Sequence, residues 1–229
     1  MATIGFETSP PVIKHLDRQR YAVVKSFMAP GTLAEDINQA FLVRMEGFPM
    51  PAGYRFELAG EREQQQEAFG GGFNKIVIAT IFLFIMVLVL EFRTLKSTLI
   101  VLSVIPLGVI GGVGMLWATG NPMSFVAISG FIALAGVEVK NSILLVDFTN
   151  QLRRDGMGLE DAIREAGELR FLPIVLTSLT AIGGLIPIAL NTNPLVSPLA
   201  IVLIGGLISS TLLSRIVTPV VYKLIPPRV

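Results

Sequence analysis

The chain has 229 residues, 52% of them hydrophobic and 15% charged, with a mean hydropathy of +0.68, which excludes an ordinary soluble domain and points to an integral membrane protein. A formal net charge of +1 supplies no broad field for nucleic acid, which is excluded as a partner. There is no cysteine and a single histidine, His15, so neither a disulfide framework, a thiolate site nor a zinc centre can be built from this sequence.

Residues 1–72 are polar and mixed in pattern. Residues 20–28 read as a strand, and residues 54–58 alternate Tyr54, Phe56 and Leu58 with Arg55 and Glu57. Between them Thr32 and Glu35 make a capping-box pattern, Leu33, Ile37, Ala40 and Phe41 form one apolar helix face, and Gly47 with Pro49 ends it. The predicted unit is βαβ with a right-handed crossover. Two strands and one helix bury too little surface to stand alone, so their open sheet edge is expected to pair with chain absent from this sequence. Gly70, Gly71 and Gly72 mark a flexible boundary.

Beyond that boundary, residues 73–92, 98–118, 124–148, 171–190 and 199–222 are each apolar and long enough to cross a hydrocarbon core of about 30 Å. Five membrane helices are therefore predicted. Their first and third connections carry Arg93, Lys96, Arg153, Arg154, Arg164 and Arg170, and the tail carries Lys223 and Arg228. The second and fourth, residues 119–123 and 191–198, carry no Lys or Arg. The positive-inside rule puts the C-terminus in the cytoplasm and residues 1–72 outside it. A segment of that size normally crosses only behind a signal peptide or an upstream span, so the sequence is expected to be the C-terminal part of something larger, or one piece of a split transporter. Leu159, Ile163 and Ala166 in the polar stretch 151–170 predict a short amphipathic helix on the cytoplasmic surface.

The third span contains Gly136-Val-Glu-Val-Lys-Asn-Ser-Ile-Leu-Leu-Val-Asp147. A charge near the bilayer centre costs roughly 2.5 to 3.5 kcal/mol on insertion scales, so Lys140 should face a bundle interior and find a partner. On a helical wheel it shares a face with Ala133, Gly136 and Asp147 and lies almost opposite Glu138. The functional reading is a lysine that answers carboxylates on a neighbouring helix and responds to their protonation; the structural one is a static salt bridge or a snorkelling side chain. Glu138 is a possible intramembrane acidic group with either a structural or a transport role, and Asp147 reads as interfacial. Thr177, Ser178 and Thr180 most simply bond back to helix carbonyls. Gly108 with Gly112, Gly205 with Ser209, and Gly206 with Ser210 permit close helix packing. No phosphate loop, HExxH pattern or serine elbow is present, so the chain is not expected to be an enzyme.

The lysine stretch, together with Arg170-Phe-Leu-Pro-Ile-Val-Leu-Thr-Ser178, Ile105-Pro-Leu-Gly-Val-Ile-Gly111 and Gly205-Gly206 followed by Pro219, resembles the resistance-nodulation-division transporters, specifically their proton-driven multidrug branch. The resemblance covers nearly the whole chain. It implies the last five spans of a twelve-span protomer in the bacterial inner membrane. Residues 1–72 would be a βαβ fragment of a ferredoxin-like porter subdomain, and residues 73–229 the transmembrane domain. It further implies a homotrimer, an N-terminal half bearing an acidic pair, a periplasmic adaptor and an outer-membrane channel. No cofactor is implied beyond the proton gradient. Lys140 matches the family's intramembrane lysine, Thr177 and Arg170 match its polar partners in the proton pathway, and Asn141 follows the lysine in the same pattern. Glu138 stands where better-known members are often neutral.

The first expectation is a proton-coupled exporter of hydrophobic or amphiphilic compounds that works only within a complete pump. A second, of another class, is a non-transporting fragment acting as a structural or assembly module. A metal-ion exporter of the same superfamily is a third and weaker one, since no extracytoplasmic Met or His cluster stands out.

Overall fold

The computed structural model describes residues 12–16, 18–26, 32–58, 73–191 and 196–227. Two three-residue strands, β1 (Lys14–Leu16) and β2 (Gln19–Tyr21), pair antiparallel with His15 opposite Arg20. Helix α1 (Ala34–Glu46) follows and stops at Gly47.

The expected βαβ unit is not formed. Residues 22–26 and 54–58 adopt no strand, and the expected strand's residues 27 and 28 lie outside the described set, as do Gly70 to Gly72 and Arg228. A strand needs a hydrogen-bonding neighbour, and among the described residues β2 pairs only with the strand just before it. Residues 54–58 instead rest on the helix through an edge-on contact of Phe56 with Phe41, ring centroids 6.1 Å apart, while Arg55 and Glu57 pair at 2.9 Å. The apolar face of α1 stays uncovered, with Ile37 and Phe41 about two-fifths exposed. The residue flanking its start is Leu33, which supplies no side-chain cap.

The remainder is helical: α2 (Phe73–Phe92), α3 (Leu95–Leu102), α4 (Ile105–Thr119), α5 (Phe125–Arg154), α6 (Leu159–Ala189) and α7 (Ser197–Leu224). Among the described residues, three stretches are long and apolar enough to cross a membrane: Leu95–Thr119, Leu159–Ala189 and Ser197–Leu224. The first is broken at Ser103 and Val104, because Pro106 at the start of α4 has no N–H to continue the α3 ladder. The predicted surface helix and fourth span are one helix, α6, whose first three turns carry the amphipathic pattern. Ala162 and Ala166 are fully buried there, and Leu159 and Ile163 pack onto the core. At that polar end Lys223 of α7 pairs with exposed Glu160 and holds its carboxyl below the usual carboxylate range. Helix α5 starts where Ser124 accepts a bond from the Ala127 N–H at 3.2 Å, an N-cap that also explains its boundary.

Helix α7 is the hub, packing against α4, α5 and α6. It reaches α4 because the crossing is built from small residues. A Cβ on Gly111 would overlap Ser209 and the Gly205 carbonyl, and one on Gly205 would overlap Met115 and the Gly111 carbonyl. The Ser209 hydroxyl donates to the Leu107 carbonyl at 2.8 Å across the same contact. Two apolar clusters flank it. Leu116, Ala127, Ile201 and Val202 make one, and Leu88, Phe92, Ile100, Val101, Val139, Val146 and Tyr222 the other.

The second cluster is closed by a polar lock. Tyr222 donates to the Asn150 carbonyl oxygen, the Asn150 amide reaches Ser97, and Arg153 donates to Tyr222 at 3.3 Å and to the Pro227 carbonyl at 2.7 Å. Substituting Gly205 by Val should prevent the α4–α7 crossing and abolish a monodisperse, helical protein in detergent. Ser209→Ala, which removes one interhelical bond, should cost only about 0.6 kcal/mol of unfolding free energy in mixed micelles. Equal effects of the two changes would refute the crossing as the critical contact.

Candidate functional site: a two-faced helix

Helix α5 carries Glu138 and Lys140 on opposite sides. Two residues of helix turn through about 200°, so Glu138 and Lys140 cannot share a face. Glu138 points into the bundle and is 2% exposed, whereas Lys140 is exposed on an outward stripe with Ala133, Gly136, Val137, Leu144 and Asp147. Among the described residues Lys140 has no ion pair.

The four residues expected to form a relay are not brought together. Asn141 is half-buried and turned toward the interior. Thr177 is exposed, and its hydroxyl donates to the Pro173 carbonyl at 2.8 Å, the local bond that a hydroxyl in a membrane helix usually makes. Arg170 stacks over the Phe148 ring with its guanidinium carbon 4.5 Å from the centroid. No hydrogen bond or ion pair joins Lys140, Asn141, Arg170 and Thr177 to one another among the described residues.

Glu138 occupies a different environment. Its carboxylate lies against Gly108 of α4, where a Cβ would overlap it, and it borders a cavity of about 20 Å³. Asn141 and Ser142 of α5 line that cavity with Ser210, Thr211, Ser214 and Thr218 of α7, and Val104, Leu145 and Ile174 complete it. Neither carboxylate oxygen has a hydrogen-bond partner, and the Thr218 hydroxyl has none either. An ionised carboxylate withdrawn from water costs several kcal/mol unless something neutralises or coordinates it.

Sequence reasoning missed two features. The hydroxyl row on α7 follows a helical repeat, Ser210, Ser214 and Thr218 at four-residue intervals, and that spacing was the available signal. Arg215, exposed within the fifth predicted span, lies 4.1 Å over the Phe171 ring and was not singled out.

Gly108→Ala should destabilise the bundle by forcing the carboxylate out of its place. The double variant Gly108→Ala with Glu138→Ala should recover part of the loss, giving a coupling energy of about 0.5 to 3 kcal/mol in a double-mutant cycle of thermal or denaturant unfolding. Strict additivity would show that the two residues do not compete for one space.

The chain is 33% identical over 227 residues to the cobalt-zinc-cadmium resistance protein CzcA of Cupriavidus metallidurans, covering 98% of this chain and 21% of that protein. Protein HelA of Legionella pneumophila is 35% identical over 227 residues, with 97% and 21% covered. Two crystal forms of a heavy metal efflux pump superpose with TM-scores of 0.59 and 0.62 at 29% and 30% identity, over 85% of this chain and 20% of theirs. The chain thus spans about a fifth of the length of these relatives. Residues 1–226 match the model of the AcrB/AcrD/AcrF family, and the chain belongs to that family of resistance-nodulation-division transporters.

Proposed function

We propose that this chain serves as membrane machinery in a proton-driven efflux transporter, with Lys140 as its half of an ion-pair switch. The observation that carries this reading is the lysine's position. It stands on the uncovered face of a helix whose other face is packed against α4, α6 and α7, with no ion pair among the described residues. A cation at that depth is costly unless a neighbouring helix supplies an anion, and the exposed small residues Ala133 and Gly136 beside it leave room for such a helix. Carboxylates there would hold the lysine while ionised and release it when protonated. Arg170 and Thr177, on the neighbouring α6, would border the same path, and Asn141 would link it to the interior.

In this reading α2, α3 with α4, α5, α6 and α7 make five crossings of the inner membrane, with the C-terminus cytoplasmic. Seven further spans, an adaptor and an outer-membrane channel would complete a trimeric pump. The cargo we propose is a metal cation, in line with the resistance and efflux proteins to which the chain is similar, rather than the hydrophobic compounds of the multidrug branch.

Lys140→Ala in the complete transporter should abolish export while expression persists. Growth protection should be lost by at least tenfold in tolerated concentration, the factor that about 1.4 kcal/mol of lost coupling gives. Cells carrying the unaltered protein should be protected from cobalt, zinc or cadmium salts and not from amphiphilic dyes. Unchanged export by the Lys140 variant sinks the relay, and protection against dyes alone sinks the metal cargo.

A further inference from the structure

We propose that the Glu138 cavity is a binding site for one desolvated monovalent metal cation of the size of Na⁺, separate from the Lys140 face. Glu138 is almost completely buried, and both of its oxygens border the cavity with no hydrogen-bond donor. No lysine or arginine lines the space, so nothing in the wall neutralises the carboxylate.

Oxygen dominates the cavity's polar wall, in the hydroxyls of Ser142, Ser210, Thr211, Ser214 and Thr218 and the side-chain amide of Asn141. Thr211 gives its hydrogen to the Ser178 oxygen at 2.8 Å, and the Ser210 hydroxyl lies 3.4 Å from the Leu207 carbonyl of its own helix. Each of these groups offers oxygen lone pairs to the space. Oxygen lone pairs gathered around an anionic group suit a cation.

The identity of the cation follows from charge, donor type and volume. One carboxylate balances one positive charge, whereas a divalent ion would leave a net charge in a low-dielectric interior. Every polar lining group offers oxygen, with no imidazole, thiolate or thioether, so the site suits a hard ion and not a soft or borderline transition metal. At about 20 Å³ the space admits one water-sized occupant.

The position on α7 is also specific. Ser210, Thr211, Ser214 and Thr218 fall between Ile201 and Val202 of one apolar cluster and Tyr222 of the other, so the site is enclosed by the same packing that holds the bundle.

The test is binding of radioactive ²²Na⁺ to the purified full-length protein at mildly alkaline pH, with Li⁺ and K⁺ as competitors. One saturable Na⁺ per chain is expected, displaced by Li⁺ more readily than by larger K⁺. Glu138→Gln should abolish it, and Ser210→Ala or Ser214→Ala, which leave the carboxylate in place, should weaken it by roughly tenfold, equivalent to about 1.4 kcal/mol. Wild-type binding no greater than that of Glu138→Gln overturns the proposal. Should Glu138→Gln fail to fold, unaltered affinity in both serine variants overturns it equally. Infrared difference spectra give an independent reading: Na⁺ should remove any protonated-carboxyl band assigned to Glu138, and a band indifferent to Na⁺ would identify a proton site instead.

Discussion

The contact of α4 with α7 sets the terms for everything around it. In a bilayer, apolar side chains gain nothing by leaving lipid, so helices associate through close packing and a few interhelical hydrogen bonds. Gly111 and Gly205 bring two backbones to a separation that no side chain would allow, and Ser209 fastens them. That approach draws α7 into the middle, where Gly206 receives Leu134 of α5, and draws Gly108 of α4 against Glu138. A glycine at each crossing therefore determines which helices neighbour α5, and through them the surroundings of its charges.

Polarity is distributed along the bundle accordingly. Apolar clusters occupy both ends of the α7 packing surface, and the hydroxyl row lies between them. At one end the chain spends its strongest polar contacts on a lock of Asn150, Tyr222, Arg153 and Ser97, which ties α3, α5 and α7. Helix α6 stands outside this arrangement. Few of its side chains are buried, two internal prolines interrupt its ladder, and cation–π contacts of Arg170 with Phe148 and Arg215 with Phe171 join it to its neighbours. A helix held this way is cheaper to move than α7, since little apolar packing is lost when it shifts.

The helices were legible where one residue decides a boundary. The helix 73–92 agrees with its predicted limits, Ser124 starts α5 through a side-chain cap, and Gly120 ends α4 in the left-handed conformation with φ 67°. Reading stopped where the decision belonged to a neighbour. Residues 54–58 alternate like a strand, but alternation describes two faces and does not supply an edge to bond to. The amphipathic and apolar parts of α6 differ in composition yet share one unbroken backbone, so the composition shift at Phe171 marked a change of environment and not of element. Glu138 could be placed opposite Lys140 from the wheel alone. That its oxygens are left without hydrogen bonds depends on how α4 and α7 pack around it, which no spacing rule encodes.

The two charges of α5 separate two kinds of incompleteness. An inward carboxylate without donors can be completed by a single small ion, because the surrounding oxygens are already in place on α5 and α7. An outward lysine cannot, because among the described residues its stripe of Ala133, Gly136, Val137, Leu144 and, two turns on, Asp147 gives it no ion pair. Only another helix can supply one. The same 200° of helical rotation that keeps Glu138 from neutralising Lys140 thus assigns one charge to the bundle's interior and the other to an interface. A change at the interface can reach the interior through the rotation or sliding of α5 alone, since both groups are fixed to one rigid helix. In the proposed reading α5 would thus be the physical link between an anion on a neighbouring helix and the cavity on its far side.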